Sequence, residues 1–289
     1  MTVTGFTGKG MLHESTEKDY QDRLGIFSSE HCTVTVLADG CSGSAYGAQA
    51  AELNIKTVNE LFLQRGAGIV NNGKITNEDG NEKPAEKYIA EKFREAFAGL
   101  IAEHENAAPS DFCSTVIFAV TEDGKTVTGH CGDGYLFLFD KKGDTVFISE
   151  PDNKNSSPFF TLNAYLHGRL RINEIPSDDW EYLVMFTDGA NDMFYFNSLD
   201  MEKGVKNILL ENLAGNGINS TGELAGILAE NMFAAHYVFD DVSIICAKKN
   251  GSFATDETDT SSASVPVSLT SFFRENYRDM QDSTETQEQ

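Results

Sequence analysis

Several aspartates in this sequence lie directly beside short apolar runs. Asp39 follows the run TVTVLA, Asp188 follows YLVMFT, and Asp240 lies just before VSIICA. Asp22 precedes another short apolar stretch. An acid at the end of a buried strand stands on a rigid support, so several such acids can converge on one point. Because carboxylate oxygens are the ligands that hard divalent cations prefer, the pattern predicts a metal site that could activate water and hold a phosphoryl group.

These acids also have an ordinary interpretation, because Asp-Gly is a common dipeptide of tight turns. Asp79 and Asp123, each followed by Gly, are predicted to be turn residues only. Asp39 and Asp188 are also followed by Gly, and taken alone they are equally typical of turns. Composition and hydrophobic periodicity therefore leave a metal site and simple turns as alternatives.

The elements that would position these acids are strands and helices in alternating groups. Short β-rich apolar runs predict strands, and apolar residues spaced by three and four predict amphipathic helices. The predicted strands cover 33–38, 114–120, 126–131, 135–139, 145–149, 182–187 and 242–247. The predicted helices cover 45–64, 85–105, 201–213 and 221–236. Strands interleaved with pairs of helices indicate an α+β fold rather than a parallel βαβ sheet.

Three connecting regions carry predictions of their own. Residues 66–84 are rich in Gly and Asn and are predicted to form a loop. The strands between 114 and 149 are predicted to form one antiparallel meander, because turn dipeptides separate them. These dipeptides are Asp123-Gly124, Asp133-Gly134 and Lys142-Gly143. Residues 150–179 are polar and are predicted to be irregular.

The chain is expected to hold one globular domain followed by a polar tail. All the predicted elements lie within residues 1–249, and 40% hydrophobic residues in a 289-residue chain are enough for a sizeable core. Residues 250–289 are rich in Ser, Thr, Asp, Glu and Gln and are predicted to be mainly disordered.

The composition argues against several classes of partner and location. A formal net charge of −23 opposes binding to nucleic acid or to anionic lipid. No apolar run approaches the roughly 20 residues of a membrane span, and the first residues lack a secretory pattern. Five cysteines without a C-x-x-C pair indicate reduced thiols and a cytoplasmic location.

Six segments, in this order, resemble the motifs of metal-dependent protein phosphatases of the PPM/PP2C type. They are HESTEKDYQD, LADGCSGSAYGAQAAEL, FCSTVIFAV, HCGDGYLFLFD, MFTDGANDMF and FDDVSIICA. The first resembles the His…Gln-Asp signature of a bacterial branch of that family. The second and fifth resemble its strands that end in Asp-Gly, and the fourth resembles its Gly-Asp-Ser/Gly motif. Six motifs in family order favour metal ligands over isolated turns.

The resemblance implies a four-layer α-β-β-α sandwich, with two central antiparallel sheets and two or three Mn²⁺ or Mg²⁺ ions at one end. It implies that Asp39 bridges two ions and that the Gly40 carbonyl binds one of them. Asp188 and Asp240 match the other direct ligands. Asp22 matches an N-terminal acid that holds a metal partly through water.

Two further acids have roles that the resemblance implies less directly. Asp111 lies just before Ser114-Thr115, where the family has an acid for a weaker third metal, although its spacing departs slightly from the family pattern. Asp241 matches a position that supports the ligands from outside the metal shell.

Two positions depart from the family pattern. Where many members have an Arg that binds the substrate phosphate, this chain has Glu17, and an anion there would repel phosphate. Where many have a His that protonates the leaving group, this chain has Cys41. His13 is the replacement candidate for that catalytic role, because an imidazole titrates near neutral pH. A surface or capping role for His13 remains the alternative.

By resemblance, the expected activity is hydrolysis of phosphoserine and phosphothreonine in proteins by a metal-activated water, without a phosphoenzyme. Phosphorylated proteins and a cognate Ser/Thr kinase are the expected partners. One alternative is a catalytically impaired member that binds phosphoproteins or regulates a partner. Another is a phosphatase for a small phosphorylated metabolite. The sequence indicates no oligomeric state.

Overall fold

The computed structural model describes residues 1–10, 20–77, 79–152, 168–215, 217–235, 240–249 and 267–268 of the chain. Within these residues, two central β-sheets pack face to face, and each sheet carries helices on its outer face. The predicted α+β class and the four-layer α-β-β-α sandwich are therefore confirmed.

The strands have the following bounds. They are β1 (Thr2–Lys9), β2 (Arg23–Ser28), β3 (Thr33–Ala38), β4 (Val70–Asn71), β5 (Lys74–Thr76), β6 (Glu82–Pro84), β7 (Val116–Glu122), β8 (Lys125–Cys131), β9 (Tyr135–Phe139), β10 (Thr145–Ser149), β11 (Arg171–Pro176), β12 (Tyr182–Phe186), β13 (Val242–Lys248) and β14 (Val267–Ser268). The helices are α1 (Gly47–Phe62), α2 (Ala85–Ala102), α3 (Asn191–Asn197), α4 (Met201–Val205), α5 (Glu211–Ala214) and α6 (Thr221–Ala235). A π-helical segment, Lys206–Leu210, joins α4 to α5.

The strand order places alternating strand ends side by side. The first sheet has the order β10-β9-β12-β13-β1-β14, and the second has the order β11-β8-β7-β3-β2. Neighbouring strands of both sheets are antiparallel, apart from the short parallel pair of β1 with β14. In an antiparallel sheet, the end of one strand lies beside the start of the next. Residues from many separate segments of the chain therefore meet at one end of each sheet, where strands end or begin.

The period-two alternation of each strand builds three buried layers. In β3, Val34 and Val36 face α1 and α2, whereas Leu37 points into the space between the sheets. In β12, Val184 faces the helices α3 to α6, and Met185 lies between the sheets. Because both faces of the central strands are covered, β3 and β12 are buried along their whole length.

The prediction of a loop at 66–84 is wrong, because this region forms a small antiparallel sheet of β4, β5 and β6. Asn72 and Gly73 form its first turn with φ values of 50° and 71°, which suits a two-residue hairpin. Strands of two or three residues are too short to show apolar alternation. The Lys125 Nζ donates to the Val70 carbonyl at 2.6 Å and holds the small sheet against β8.

The single meander predicted between 114 and 149 is also wrong. β7 and β8 form a hairpin in the second sheet, and β9 and β10 form a hairpin in the first. The chain passes from one sheet to the other through 132–134, between β8 and β9. A turn dipeptide predicts a change of direction, but it does not indicate which sheet receives the next strand.

Three strands of six or more residues, β1, β2 and β11, escaped the sequence prediction. β11 lies in the stretch 150–179 that was predicted to be irregular, and it pairs with β8 at one edge of the second sheet. β1 is rich in Thr and Gly, residues that give weak apolar patterning, and it pairs along its length with β13.

The remaining predictions on chain organisation concern the tail and the membrane. β14 belongs to residues 250–289 and pairs with Gly8 and Lys9 of β1. The rest of that tail lies outside the described residues, so the boundary at 249 stays a prediction. No helix in the described part of the chain is both long and apolar enough to cross a membrane.

Candidate metal centre

Four aspartates meet at one end of the sandwich because strands from both sheets end or begin there. Asp39 follows the end of β3, and Asp188 lies two positions after the end of β12. Asp240 lies two positions before the start of β13, and Asp133 lies in the crossover between β8 and β9. Each acid is thus attached to a rigid strand rather than to a long loop. Because neighbouring strands are antiparallel, these four segments lie at the same end of the sandwich.

The acids form a compact group. One carboxylate oxygen from each of Asp39, Asp133 and Asp188 lies within 4.8 Å of the others. Asp240, Cys41 and other residues line the same cavity, whose volume is about 70 Å³. This space is large enough for several water-sized species, and carboxylate oxygens at such separations suit divalent cations that accept oxygen ligands.

Asp22 lies beside this group in the interior. Its side chain is 1% exposed, and its Oδ2 accepts a hydrogen bond from the Thr187 hydroxyl at 2.8 Å. Its Oδ1 has no hydrogen-bond partner among the described residues, and the same holds for Oδ1 of Asp133. A buried acceptor without a partner is costly. The donor set therefore fits a cation that would bind these oxygens directly or through water.

The electrostatics of the cluster point the same way. Burial raises the pKa of Asp39, and the charges of Asp22, Asp188, Asp133 and Asp240 raise it further. Burial, followed by the charges of Asp133 and Asp240, raises the pKa of Asp188 to about 7. Crowded carboxylates resist ionisation because each disfavours the charge of its neighbours. A bound divalent cation reverses this effect and stabilises the ionised forms.

The backbone around Asp39 is held on both sides. The Asp39 N–H donates to the Thr115 hydroxyl at 3.0 Å, and the Thr115 N–H donates to the Asp39 carbonyl at 2.8 Å. The next residue, Gly40, forms an antiparallel bridge with Ser114. A Cβ atom on Gly40 would lie 2.4 Å from the carbonyl carbon of Gly47, so only glycine fits beneath the start of α1.

The comparisons with known proteins agree with this architecture. A family model described as protein phosphatase 2C matches residues 9–229 of the chain. The chain belongs to the protein phosphatase 2C family. This confirms the family resemblance of the sequence motifs, and the family is metal-dependent and acts on phosphoproteins. No match was found among curated proteins.

Solved structures show the same fold. A bacterial serine phosphatase is 16% identical, with a TM-score of 0.57, over 88% of this chain and 100% of its own. The serine/threonine phosphatase Stp1 from Staphylococcus aureus is 16% identical, with a TM-score of 0.54, over 87% of this chain and 96% of its own. RsbX, solved in complex with magnesium, is 11% identical, with a TM-score of 0.52, over 84% of this chain and 92% of its own. At these identities the likeness establishes the fold of the family.

Within this phosphatase fold, the structure brings four of the predicted metal ligands to one end. Asp39, Asp188 and Asp240 line the cavity, and the charge of Asp22 acts on Asp39. Gly40 directly follows Asp39 at the bridge to Ser114. Cys41, at the position where many family members have His, also lines the cavity.

Asp111 is placed differently from the other predicted ligands. It ends the 3₁₀ turn Pro109–Asp111, and its Oδ2 accepts a hydrogen bond from the Ala108 N–H at 2.8 Å. It is not among the described residues that line the cavity. Asp133 lies in the cluster instead, although its Asp-Gly dipeptide predicted only a turn. Its signal was present in the Gly-Asp-Gly of the fourth motif, HCGDGYLFLFD.

Asp241 has a supporting position. Its Oδ1 accepts a hydrogen bond from the Gly10 N–H at 2.8 Å, and its Oδ2 accepts one from the Gln21 N–H at 2.7 Å. Both carboxylate oxygens therefore bind the backbone of the N-terminal segment that leads to Asp22. His13 and Glu17 lie outside the described residues, so their predicted roles stay predictions.

Proposed function

We propose that this chain is a metal-dependent serine/threonine protein phosphatase. The observation that carries the proposal is the group of Asp39, Asp133 and Asp188, whose carboxylate oxygens lie within 4.8 Å of one another at the strand ends of a protein phosphatase 2C fold. Asp22 and Asp240 lie beside this group, so its combined negative charge would repel a phosphate unless cations were bound. Phosphoryl transfer at such a site therefore depends on metal.

The proposed ligands follow from the positions of the side chains. Asp39 lies at the centre of the acid cluster and would bridge two ions, with the Gly40 carbonyl as a ligand of one of them. Asp188 and Asp240 would complete the direct ligands, and Asp22 would act partly through water. Asp133 has a partnerless Oδ1 in the cluster, so we assign it, in place of Asp111, to a further ion. The expected ions are Mn²⁺ or Mg²⁺.

The chain's own residues would orient and neutralise rather than attack. When bound, two such ions supply an acidic water for in-line attack on phosphorus and positive charge for the phosphoryl oxygens. Thr115 fixes the backbone of Asp39, and Thr187 fixes Asp22. His13 would give a proton to the leaving Ser or Thr oxygen. Because water attacks directly, the chain supplies no nucleophile and forms no phosphoenzyme.

The test is hydrolysis of a phosphoserine or phosphothreonine peptide by the purified chain with Mn²⁺ and with EDTA. EDTA should abolish turnover. Asp39→Asn and Asp188→Asn should each lower kcat/KM by more than the roughly 10- to 100-fold that loss of an outer-shell partner causes. Asp140→Asn, at the opposite end of β9, is the matched control and should retain the parent rate. Turnover that survives EDTA and both substitutions would sink the proposal.

A second candidate function is binding of phosphoproteins without turnover. Glu17 in place of a phosphate-binding Arg, and Cys41 in the cavity in place of His, favour it. Metal binding by calorimetry together with no turnover in the parent chain would select this function. Activity on p-nitrophenyl phosphate but not on phosphopeptides would instead indicate a small-molecule substrate.

The expected partners remain phosphoproteins and a cognate kinase, and the expected compartment remains the cytoplasm.

A further inference from the structure

We propose that Asp152 is a positioning residue that, together with Arg171, fixes Gly132 and thereby directs the Asp133 carboxylate into the metal cluster. This inference rests on the proposed function, because it concerns the same site. It differs from the metal ligands themselves, because Asp152 acts on the cluster only through the backbone next to Asp133. We call the contacts among Asp152, Gly132 and Arg171 the Asp152 clasp.

The first part of the clasp is a two-point contact with Gly132. The Asp152 N–H donates to the Gly132 carbonyl at 2.9 Å, and the Gly132 N–H donates to Oδ2 of Asp152 at 2.9 Å. Both polar backbone atoms of Gly132 are therefore bound by one residue. Gly132 directly precedes Asp133, so this contact sets the direction in which the crossover leaves β8.

The opposite side of Gly132 is also closed. Its φ is +132°, in the region that side chains other than glycine rarely adopt, and an added Cβ would lie 2.5 Å from the Cβ of Thr115. Thr115 is the residue whose hydroxyl accepts from the Asp39 N–H. Gly132 is thus held between Asp152 and the support of Asp39, and the clasp sets the position of one acid of the cluster relative to another.

The second part of the clasp is Arg171, which orients Asp152. Its Nε lies 3.3 Å from Oδ1 of Asp152, and its Nη2 donates to Nδ1 of His130 at 2.9 Å. The Ser149 hydroxyl also lies 2.8 Å from that Nδ1. Burial lowers the pKa of His130 well below its usual range, and the charge of Arg171 lowers it further, so both favour the neutral ring. A neutral imidazole can accept from Arg171 without repelling it.

A second ion pair on β11 offers a matched comparison. The Lys125 Nζ and the Glu174 Oε2 lie 3.0 Å apart, and the side chains of both pairs are partly shielded from solvent. Glu174 also accepts from the Gly73 N–H at 2.6 Å. This pair lies at the start of β8, whereas Arg171 pairs with His130 near the end of that strand. A purely structural role would make the two pairs equivalent, but a positioning role concerns only the Asp152 clasp.

The experiment compares Asp152→Ala and Asp152→Asn with Glu174→Ala. Each variant is titrated with Mn²⁺ by calorimetry, assayed for the Mn²⁺ concentration that gives half-maximal phosphopeptide hydrolysis, and melted in EDTA. We expect Asp152→Ala to raise the half-maximal Mn²⁺ concentration by about 10- to 100-fold, as removal of outer-shell partners does. Glu174→Ala should lower the Tm in EDTA and leave the metal dependence unchanged.

The conservative variant separates the two parts of the clasp. Asp152→Asn keeps an oxygen that can accept from the Gly132 N–H but loses the charge that pairs with Arg171, so it should restore most of the metal affinity. Arg171→Gln should resemble Asp152→Asn. The proposal would be overturned if Asp152→Ala and Glu174→Ala lowered the Tm by the same amount and both variants kept the Mn²⁺ titration of the parent chain.

The failure of this proposal is distinguishable from the failure of the proposed function. A parent chain that binds Mn²⁺ without turnover would refute the phosphatase activity, while weaker calorimetric binding by Asp152→Ala would still support the clasp. A parent chain that turns over substrate, with an Asp152→Ala variant of unchanged Mn²⁺ affinity, would refute the clasp and leave the activity standing.

Discussion

The two ends of β9 each carry an aspartate in a short connection, and the two residues experience opposite environments. At the far end, Asp140 is partly exposed, and its Oδ1 accepts hydrogen bonds from the N–H groups of Lys142 and Asp144 at 2.7 and 2.9 Å. The Asp144 N–H lowers the pKa of Asp140. At the near end, burial raises the pKa of Asp133, and its Oδ1 has no hydrogen-bond partner among the described residues.

The difference lies in what each connection joins. Asp140 begins the hairpin between β9 and β10, which stays within one sheet and meets solvent. Asp133 lies where the chain crosses between the two sheets, so acids from other strands surround it. The same residue type is a turn former in one place and a candidate metal ligand in the other. Surroundings, rather than residue type or neighbouring glycine, separate the two roles.

The largest expected effect is on metal dependence. Asp133→Asn removes a charge from the cluster and should raise the Mn²⁺ concentration for half-maximal phosphopeptide hydrolysis by about 10- to 100-fold or more. Asp140→Asn removes a charge from a solvated turn and should leave this concentration unchanged. A Mn²⁺ titration of both variants measures the difference. Equal titrations would erase the distinction between the two ends.

Glycines in these two connections should give the next largest effect. A Cβ on Gly134 would lie 2.4 Å from the Phe186 carbonyl oxygen, which is backbone and cannot rotate away. Gly134→Ala should therefore lower the free energy of unfolding by about 1–3 kcal/mol or more. Gly143, with a φ of +84°, would meet only the flexible end of Leu210, so Gly143→Ala should cost about 1 kcal/mol. Urea unfolding of both variants in EDTA tests this order, and a greater loss for Gly143→Ala would contradict it.

The smallest expected effect is on pH dependence. Asp188 has a pKa raised from 3.8 to about 7, so the folded chain holds this proton more tightly than the unfolded chain does. In EDTA, the contribution of Asp188 to stability should therefore fall as pH rises from about 4 to 7. Asp140, whose pKa is lowered, contributes in the opposite sense, and its contribution is lost as pH falls.

Thermal unfolding in EDTA across this pH range measures the effect. Asp188→Asn should flatten the fall in Tm between pH 4 and 7, whereas Asp140→Asn should not. Added Mn²⁺ should reverse the trend, because the metal competes with protons for the same oxygens. If the parent chain in EDTA had the same pH profile as Asp188→Asn, ionisation of Asp188 would cost no stability and the prediction would be wrong.

Much of the fold could be predicted because its strands are buried on both faces. The predicted bounds of β3, β9 and β10 match the structure, and the helix predicted at 221–236 ends within one residue of α6. Edge elements were harder. β11 is largely polar, and the strands β4, β5 and β6 have only two or three residues, so their sequences show no apolar alternation. Their pairing depends on tertiary contacts with β8.

The candidate site was predictable where an acid follows a buried, mainly apolar strand. Asp39 and Asp188 met that condition, and both lie in the cluster. Asp133 did not, because the glycines on either side of it are equally typical of a hairpin turn. Its environment depends on a crossover between sheets, which only the three-dimensional arrangement reveals. The family motif order supplied the interpretation that local patterns lacked.

The contacts of Asp241 bear on how long the folded chain persists. Its hydrogen bond to Gln21 joins residues 220 positions apart, and the acids of the cluster come from both sheets. The cluster is therefore complete only after the sandwich has closed. An ion that binds this closed arrangement would stabilise the native state but not an earlier transition state. Metal should then slow unfolding while leaving the folding rate unchanged, which would make the ion a determinant of the chain's lifetime.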